Sequence, residues 1–170
     1  EEIVLLGYLA RGRGVLVHAC GIVDPAGRGH LFLGHSGAGK TTISRLWERT
    51  PGVRILSDDR IIVRAGDDGL RMYGTPWHGE AEYAVAESAP LTRVYVISHG
   101  SRNEMRPLGP AEAVAWMFAR GFPPFFDAAA IEFILDFYGR LAHEVPCAAF
   151  DFVPDSTATE FALREAGLPS

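Results

Sequence analysis

The sequence predicts an α/β protein built on a mixed β-sheet. Short runs rich in Val, Ile and Leu recur between Gly, Pro and Asp turns, which is typical of strands. Longer stretches carry apolar residues at helical spacing. Strands and helices mix without a strict β-α-β alternation, so a mixed sheet is expected rather than a regular doubly wound one.

The first two predicted strand regions cover residues 3–9 and 14–23, where Val, Ile and Leu are interrupted by Gly and Arg. Residues 24–27 read Asp-Pro-Ala-Gly, which predicts a turn. A brief apolar run over 30–33 predicts a further strand that leads directly into a glycine-rich segment.

A helix is predicted over residues 40–49, because Ile43, Leu46 and Trp47 follow the i, i+3, i+4 spacing of an apolar stripe. Pro and Gly in residues 50–52 end it. Strands are then predicted on either side of an Asp-Asp pair, and the Asp-Asp-Gly turn at 67–69 predicts a hairpin. These strands cover residues 53–57, 60–64 and 70–73.

The second half predicts strands over 94–98 and 147–153 and three helices. Pro110 opens the first helix, over 111–120, and Gly121 ends it. The second helix covers 128–143, and Ser156 caps the third, which runs to residue 166.

Length and composition predict a single domain over residues 1–170. The chain is 48% hydrophobic and 22% charged, and it shows no repeat, linker or low-complexity segment. Its first residue is not Met, which leaves an upstream segment open.

Charge and cysteine content exclude several classes of partner. The net charge is −5, so no overall positive field attracts nucleic acid or an anionic membrane. Cys20 and Cys147 are the only cysteines, which favours a reducing compartment. No run of 18 apolar residues occurs and the chain starts with two Glu residues, so a cytoplasmic location is expected.

The strongest motif lies between a predicted strand and a predicted helix. Residues 34–41 read Gly-His-Ser-Gly-Ala-Gly-Lys-Thr and match the phosphate-binding pattern G-x-x-x-x-G-K-[ST]. Such a loop surrounds phosphates with backbone N–H groups, while its lysine reaches the β- and γ-phosphates and its hydroxyl binds Mg²⁺. Lys40 is the single lysine of the chain. The predicted nucleotide-binding residues are Gly34, Ser36, Gly37, Ala38, Gly39, Lys40, Thr41 and Thr42.

Two carboxylates follow the next predicted strand. Asp58 and Asp59 lie 18 and 19 residues after Lys40. Because adjacent side chains of a strand point to opposite faces, both can serve one site only if the strand ends or bends there. In that arrangement they can hold Mg²⁺ and accept the proton of an attacking hydroxyl, and either Asp can take either role. A solvated Asp-Asp turn is the alternative interpretation.

His18 stands among apolar residues of a predicted strand, where a lone histidine is more often a satisfied core residue than a ligand. Together, His18, residues 34–42 and the run Ile-Leu-Ser-Asp-Asp at 55–59 resemble the HPr kinase and ATP-dependent phosphoenolpyruvate carboxykinase superfamily, especially its small HPr-kinase-like members. Residues 73–79 and 145–155 also look like those members, so the resemblance covers nearly the whole chain.

The resemblance implies a mixed-sheet P-loop fold with ATP and Mg²⁺ on the loop. It also implies that the acidic pair supplies metal ligation and a catalytic base, and that His18 faces the phosphates or the metal. HPr kinases typically have Glu at the position of Thr42, so in this residue the chain is similar to the carboxykinases instead. The chain is nevertheless far shorter than a carboxykinase.

Four further residues are candidate substrate contacts. Trp77 and His78 lie in a Pro- and Gly-containing loop that predicts either a substrate wall or a turn anchored by a buried Trp. Arg102 and Arg106 flank a polar segment that predicts either a lid donating a guanidinium or a solvated loop.

The sequence therefore predicts a phosphotransferase that uses Lys40, Asp58, Asp59 and His18 to move the γ-phosphate of ATP to a hydroxyl. The acceptor is a serine of a peptide or protein, or a small hydroxyl compound; nucleic acid and membrane are not expected partners, and a homo-oligomer stays open. The alternative is a nucleotide-binding sensor or scaffold without catalysis, which would need the loop but not a second carboxylate beside it.

Overall fold

The computed structural model describes residues 2–167 and is a mixed α/β protein with a curled, mixed sheet. Within that range the chain forms nine strands and five helices. The strands are β1 (Val15–His18), β2 (Cys20–Val23), β3 (Gly29–Leu33), β4 (Arg54–Ser57), β5 (Arg60–Gly66), β6 (Gly69–Gly74), β7 (Ser88–His99), β8 (Glu104–Pro107) and β9 (Cys147–Phe152). The helices are α1 (Glu2–Leu9), α2 (Lys40–Glu48), α3 (Pro110–Arg120), α4 (Ala128–Glu144) and α5 (Ser156–Glu165).

The long strand β7 connects two parts of the sheet. Its first residues pair antiparallel with β6, which continues through β5 to β1. Its later residues pair in parallel with β3 on one side and β9 on the other. Strands β2 and β4 extend the sheet beyond β3, and β8 extends it beyond β9. The carboxyl ends of β3, β7 and β9 therefore meet along one edge, which is where α/β proteins usually bind ligands.

Helices cover both faces of the sheet. On one face α2 and α5 pack on a core that contains the fully buried Trp47, Tyr95 and Phe150. On the other face α3 and α4 pack with Met117 and Tyr138 against β3, β7 and the hairpin strands. The prediction of α2 to α5 is confirmed, and the apolar residues that predicted α2, Ile43, Leu46 and Trp47, make these contacts. The N-cap predicted for α5 is wrong, because Asp155 rather than Ser156 caps the helix by accepting from the amide of Thr157.

The prediction of a strand over residues 3–9 is wrong, because this segment forms α1. Leu6 and Leu9 lie on one side of that helix and pack beside Val15 at the start of β1. The helix ends in a turn in which Gly12 adopts φ 81° and the amides of Arg13 and Gly14 donate to the carbonyl of Leu9. Apolar content favoured a strand here, but this turn and the packing on β1 favour the helix.

The polar stretch after β7 also contains an element that the sequence did not predict. Residues Glu104–Pro107 form β8, which pairs antiparallel with β9. The segment contains no apolar run that would predict a strand, because β8 is an edge strand whose charged residues are exposed. No helix among the described residues is long and apolar enough to cross a membrane.

A buried polar network lies at the start of β3, at the opposite end of this strand from the glycine-rich loop. Asp24 accepts hydrogen bonds from the amides of Ala26 and Arg28 and from the Arg28 side chain. Its Oδ2 atom also lies 2.8 Å from Nε2 of His30, whose other ring nitrogen is 3.1 Å from the Tyr95 hydroxyl. Burial by itself raises the pKa of Asp24, but these hydrogen bonds lower it to about 2. Burial lowers the pKa of His30 against the raising effect of Asp24.

Acid is expected to destabilise the fold through this network. His30 has a lowered pKa in the folded protein, so below pH ~6.5 the unfolded chain takes up a proton that the folded protein resists. Asp24 adds a loss at lower pH, as the pH falls from ~4 toward its folded value. Thermal unfolding measured from pH 8 to pH 4 should therefore give a falling Tm. A Tm that rises on acidification would contradict this expectation.

Substitution of Asp24 by Ala should lower the free energy of unfolding by about 3–5 kcal/mol at pH 7, because it leaves His30 and two amides buried without their acceptor.

Candidate active site

A cleft of about 380 Å³ opens between the glycine-rich loop (residues 34–41) and the turn that carries the acidic pair. It contains Lys40, both aspartates and His18, so four side chains that the sequence singled out line one space. The complete lining is His18, Ser36, Gly37, Gly39, Lys40, Thr41, Thr42, Asp58, Asp59, Gly79, Glu80 and His99.

The glycine-rich loop has the backbone geometry of an anion cradle. Gly37 and Gly39 adopt φ values of 80° and 108°, which favour glycine. No side chain among the described residues caps the start of α2. Across residues 2–167, no protein acceptor is found for the backbone N–H groups at positions 37 and 39–42. Such a row of unsatisfied donors at a helix N-terminus is suited to a phosphate.

The side chains around Gly39 leave no space for a Cβ atom at this position. A Cβ at this position would lie 2.6 Å from Cζ of Phe152 and 3.1 Å from Cε1 of His99. At Gly37 a Cβ would meet nothing within 4 Å. The two glycines therefore share a left-handed backbone and differ in the space around them.

Substitution of Gly39 by Ala is expected to destabilise the protein by about 2–4 kcal/mol, since backbone strain and overpacking against Phe152 add together. Gly37→Ala is the matched control, with an expected cost of about 1–2 kcal/mol from the backbone alone. Urea unfolding of both variants measures the difference. Equal costs would contradict the role assigned to the Phe152 contact.

Lys40 is held inside the loop rather than extended into solvent. Its Nζ atom donates to the carbonyls of Gly34 and His35 at 3.1 and 3.3 Å, and the residue is 8% exposed. Burial lowers the pKa of Lys40, and the nearby Arg120 lowers it further, while Asp59 opposes both effects. The only ammonium side chain of the protein is thus placed where an anion would relieve its desolvation.

The acidic pair lies in a break between two strands, which is what the sequence required for both residues to serve one site. β4 ends at Ser57 and β5 begins at Arg60. The Ser57 hydroxyl accepts from the amides of Asp59 and Arg60 and donates to the carbonyl of Trp77. These bonds fix the turn, and both carboxylates line the cleft.

Asp58 is the buried member of the pair. It is 4% exposed, and its two carboxylate oxygens accept the amides of Gly79 and Ala81, each at 2.8 Å. Asp58 therefore ties the turn between β4 and β5 to the loop that follows β6. Each oxygen accepts one amide and keeps a second lone pair, and a carboxylate held by backbone amides in this way is well oriented for a cation.

Asp59 contacts His18 across the cleft. Nδ1 of His18 lies 3.2 Å from Oδ1 of Asp59, and the two side chains are 35% and 22% exposed. Burial lowers the pKa of His18 and Lys40 lowers it further, against the raising effect of Asp59. The imidazole is therefore largely neutral at pH 7, in which form it can donate one ring N–H to Asp59.

Arg60 holds the other oxygen of Asp59. Its Nε atom lies 3.1 Å from Oδ2, and its Nη1 atom lies 2.7 Å from Oε1 of Glu2 in α1. The guanidinium lies over the rings of Trp77 and Phe122, 5.4 and 4.9 Å from their centroids. Trp77 is thus half-buried as an aromatic support for Arg60, and a contact that the sequence did not predict orients Asp59.

The other predicted substrate residues lie outside the cleft. His78 is exposed and contacts the carbonyl of Gly79, and the loop lines the cleft through Gly79 and Glu80 instead. Arg102 pairs with Glu104, and Arg106 in β8 pairs with Glu112 of α3 at 3.0 Å. Arg106 lies against a second cavity rather than against the cleft. Its segment is a strand in the sheet, which does not fit the predicted lid.

The second cavity, of about 670 Å³, lies on the other side of the glycine-rich loop. It shares Ser36, Gly37 and His99 with the cleft, so the two spaces meet at the loop. The rings of His35 and Trp116, 4.9 Å apart between centroids, form an aromatic wall. His35 and Ala38 of the loop line this cavity and not the cleft.

Sequence reasoning missed His99, Glu80 and Arg120. His99 ends β7 and lies beside Gly39, a position set by the parallel pairing of β3 and β7. Arg120 ends α3 near His18 and Lys40. None of the three belongs to a motif, and only tertiary structure brings them to the loop.

The oxygen ligands of the cleft suit a cation that is shared with phosphate groups. Among residues 2–167 no three His, Cys, Asp or Glu side chains converge to hold a metal by themselves. Mg²⁺ in phosphoryl-transfer sites is commonly shared between one or two protein oxygens and the substrate phosphates. Thr41 and Asp58, both on the cleft, fit that requirement.

No protein-family model matches this chain, and the search of curated proteins finds no match either.

Proposed function

We propose that the protein is an ATP-dependent phosphotransferase that transfers the γ-phosphate to a hydroxyl group. One observation carries the proposal: the only lysine of the chain and the Asp59 carboxylate face the same cleft, at a helix N-terminus with unsatisfied amides. The residue pattern at 34–42 and 55–59, and its resemblance to HPr-kinase-like proteins, support the same assignment and a P-loop fold of that type.

The loop binds the triphosphate in this proposal. Backbone amides at positions 37 and 39–42 donate to its oxygens, and Lys40 exchanges its two carbonyl contacts for the β- and γ-phosphates. Thr41 and Asp58 would hold Mg²⁺, which offsets the charge of the phosphates. The second cavity offers the nucleoside an aromatic wall at His35 and Trp116.

Asp59 is the base. As the acceptor oxygen forms its bond to the γ-phosphorus and the bond to the β-phosphate oxygen breaks, the hydroxyl proton passes to Asp59. ADP and a phosphate monoester result, and the proton is then released to water. An Asp is a weak base, so it acts mainly by orientation and late proton capture. His18 and Arg60 hold the carboxylate from two sides and aim it into the cleft.

A non-catalytic nucleotide sensor is the second candidate, and a specific observation favours it. Both oxygens of Asp59 already have cationic or imidazole partners, and both oxygens of Asp58 accept amides. Carboxylates that are engaged in this way could serve only to shape a nucleotide site.

Incubation with γ-labelled ATP and Mg²⁺ separates the two candidates. Free serine, a serine-ending peptide and the protein HPr are offered as acceptors, and label transfer is measured beside nucleotide binding by calorimetry. The kinase proposal predicts Mg²⁺-dependent transfer to at least one acceptor. Nucleotide binding without transfer would favour the sensor, and absence of binding would contradict both.

A further inference from the structure

A third space adjoins the cleft at His18 and Asp59, and no residue of the glycine-rich loop lines it. It has a volume of about 360 Å³ and is lined by His18, Asp59, Arg60, Ala119, Arg120, Gly121 and Phe122. It shares only His18 and Asp59 with the cleft. If the cleft holds the phosphates and Asp59 is the base, as proposed above, then an acceptor hydroxyl next to Asp59 places the rest of its molecule in this third space.

The end of α3 forms one wall of this space. Gly121 makes a β-bridge with Val17, the residue before His18, and so fixes the helix end beside the site. A Cβ at Gly121 would lie 2.6 Å from the Tyr138 hydroxyl, which leaves no room for a side chain there. Arg120, the last residue of α3, is therefore positioned by backbone contacts rather than by an ion pair.

Arg120 lacks the partners that other arginines near the site possess. Arg60 pairs with Asp59 and Glu2. For Arg120, no carboxylate lies within ion-pair distance among residues 2–167, and its Nε atom is buried with no hydrogen-bond partner. The buried Nε and Nη1 atoms of Arg60 also make no hydrogen bond, but each lies within ion-pair distance of a carboxylate. A buried guanidinium nitrogen without an acceptor is costly, so such a group usually has an acceptor in the functional complex.

The charges around Arg120 make this space attractive to an anion. Arg120 lines this space beside His18, and its positive charge lowers the pKa of both His18 and Lys40. Asp59 is the acidic residue on the wall of this space, and Arg60 already pairs with it. An anion placed against Arg120 would therefore form an ion pair with a guanidinium that has no carboxylate partner among the described residues.

We propose that the third space is the acceptor-binding site and that Arg120 recognises a carboxylate or phosphate group carried close to the acceptor hydroxyl. The volume suits an acceptor unit of about the size of one amino acid. Phe122 and Ala119 provide the apolar part of the wall, and Arg120 provides the charged contact. This inference rests on the proposed phosphotransferase function.

Two acceptors that differ only in charge test the proposal: N-acetylserine, with a free carboxylate, and N-acetylserinamide, without one. The wild-type protein should transfer phosphate to the carboxylate form with a kcat/KM about 10- to 100-fold higher. Arg120→Gln should remove that preference while it changes transfer to the amide less than about 3-fold. Arg120→Lys should restore part of it. Arg140→Gln is the matched control, since Arg140 is an exposed helix residue paired with Glu144.

Other results would overturn the proposal. One such result is a wild-type protein that transfers phosphate equally well to both acceptors. Another is an Arg120→Gln variant whose transfer to both acceptors falls equally, because this would assign Arg120 to the nucleotide phosphates. Calorimetry with the protein loaded with Mg²⁺ and a non-hydrolysable ATP analogue gives a readout that needs no turnover. N-acetylserine should bind the wild type more tightly than N-acetylserinamide does, and Arg120→Gln should abolish the difference. If no acceptor is phosphorylated but this binding difference is found, the proposed function fails and the anion site stands.

Discussion

Substitution of Lys40 by Ala is expected to lower phosphoryl transfer by about 10³-fold or more, because preorganised charge on the transferred group supplies most of the catalysis in such reactions. Lys40 is the only lysine, so no other ammonium group can replace it. The fold should persist, since Lys40 contacts only two carbonyls of its own loop and its burial opposes the charged form. Initial rates with γ-labelled ATP and a thermal unfolding curve measure the two effects.

Lys40→Arg is the informative control for this variant. It keeps the positive charge, but the larger planar guanidinium does not fit a pocket that presents two carbonyls at 3.1 and 3.3 Å. We expect little rescue of activity, less than about 10-fold. Near wild-type transfer by Lys40→Ala would show that the loop does not bind the transferred phosphate.

Asp59→Asn is expected to reduce kcat by about 10²- to 10⁴-fold, the usual loss when a general base is removed. The amide is nearly isosteric and can still accept from His18, but its NH₂ group would then face Nε of Arg60. We therefore expect some loss of stability and little change in the affinity for MgATP. Single-turnover rates and nucleotide calorimetry on the same preparation separate the chemical step from binding.

Asp58→Asn provides the matched comparison, because the two residues are adjacent but differently engaged. In this variant a side-chain NH₂ group would face one of the two backbone amides that Asp58 now accepts. We expect a loss of about 1–3 kcal/mol in stability and weaker Mg²⁺-dependent nucleotide binding. If the Asp58 variant loses only turnover and the Asp59 variant only stability, the roles assigned to the two carboxylates are reversed.

Much of the candidate site follows from local sequence. The spacing of glycines before Lys40 and the apolar stripe after it predict a loop on a helix N-terminus, and both are found. The requirement that the strand before Asp58 end at the acidic pair is met by the break between β4 and β5. These features depend on backbone geometry within a few residues, which local patterns encode well.

The rest depends on contacts between distant segments. Arg120 reaches His18 because Gly121 bridges Val17, and Trp77 supports Arg60 because the loop after β6 folds back onto the acidic turn. Residues 3–9 form a helix because of their packing on β1, although their composition favours a strand. No spacing in the sequence reports such contacts, since tertiary packing overrides local propensity.

A crystal structure of the protein with Mg²⁺ and a non-hydrolysable ATP analogue would show whether the glycine-rich loop holds the triphosphate next to Asp59. We expect the triphosphate on the amides of residues 37 and 39–42, with Lys40 Nζ about 3 Å from a β- or γ-phosphate oxygen. We also expect that an Asp59 oxygen faces the γ-phosphorus across a gap that fits one hydroxyl group. A triphosphate bound elsewhere, or an Asp59 carboxylate turned away from the γ-phosphate, would contradict the account.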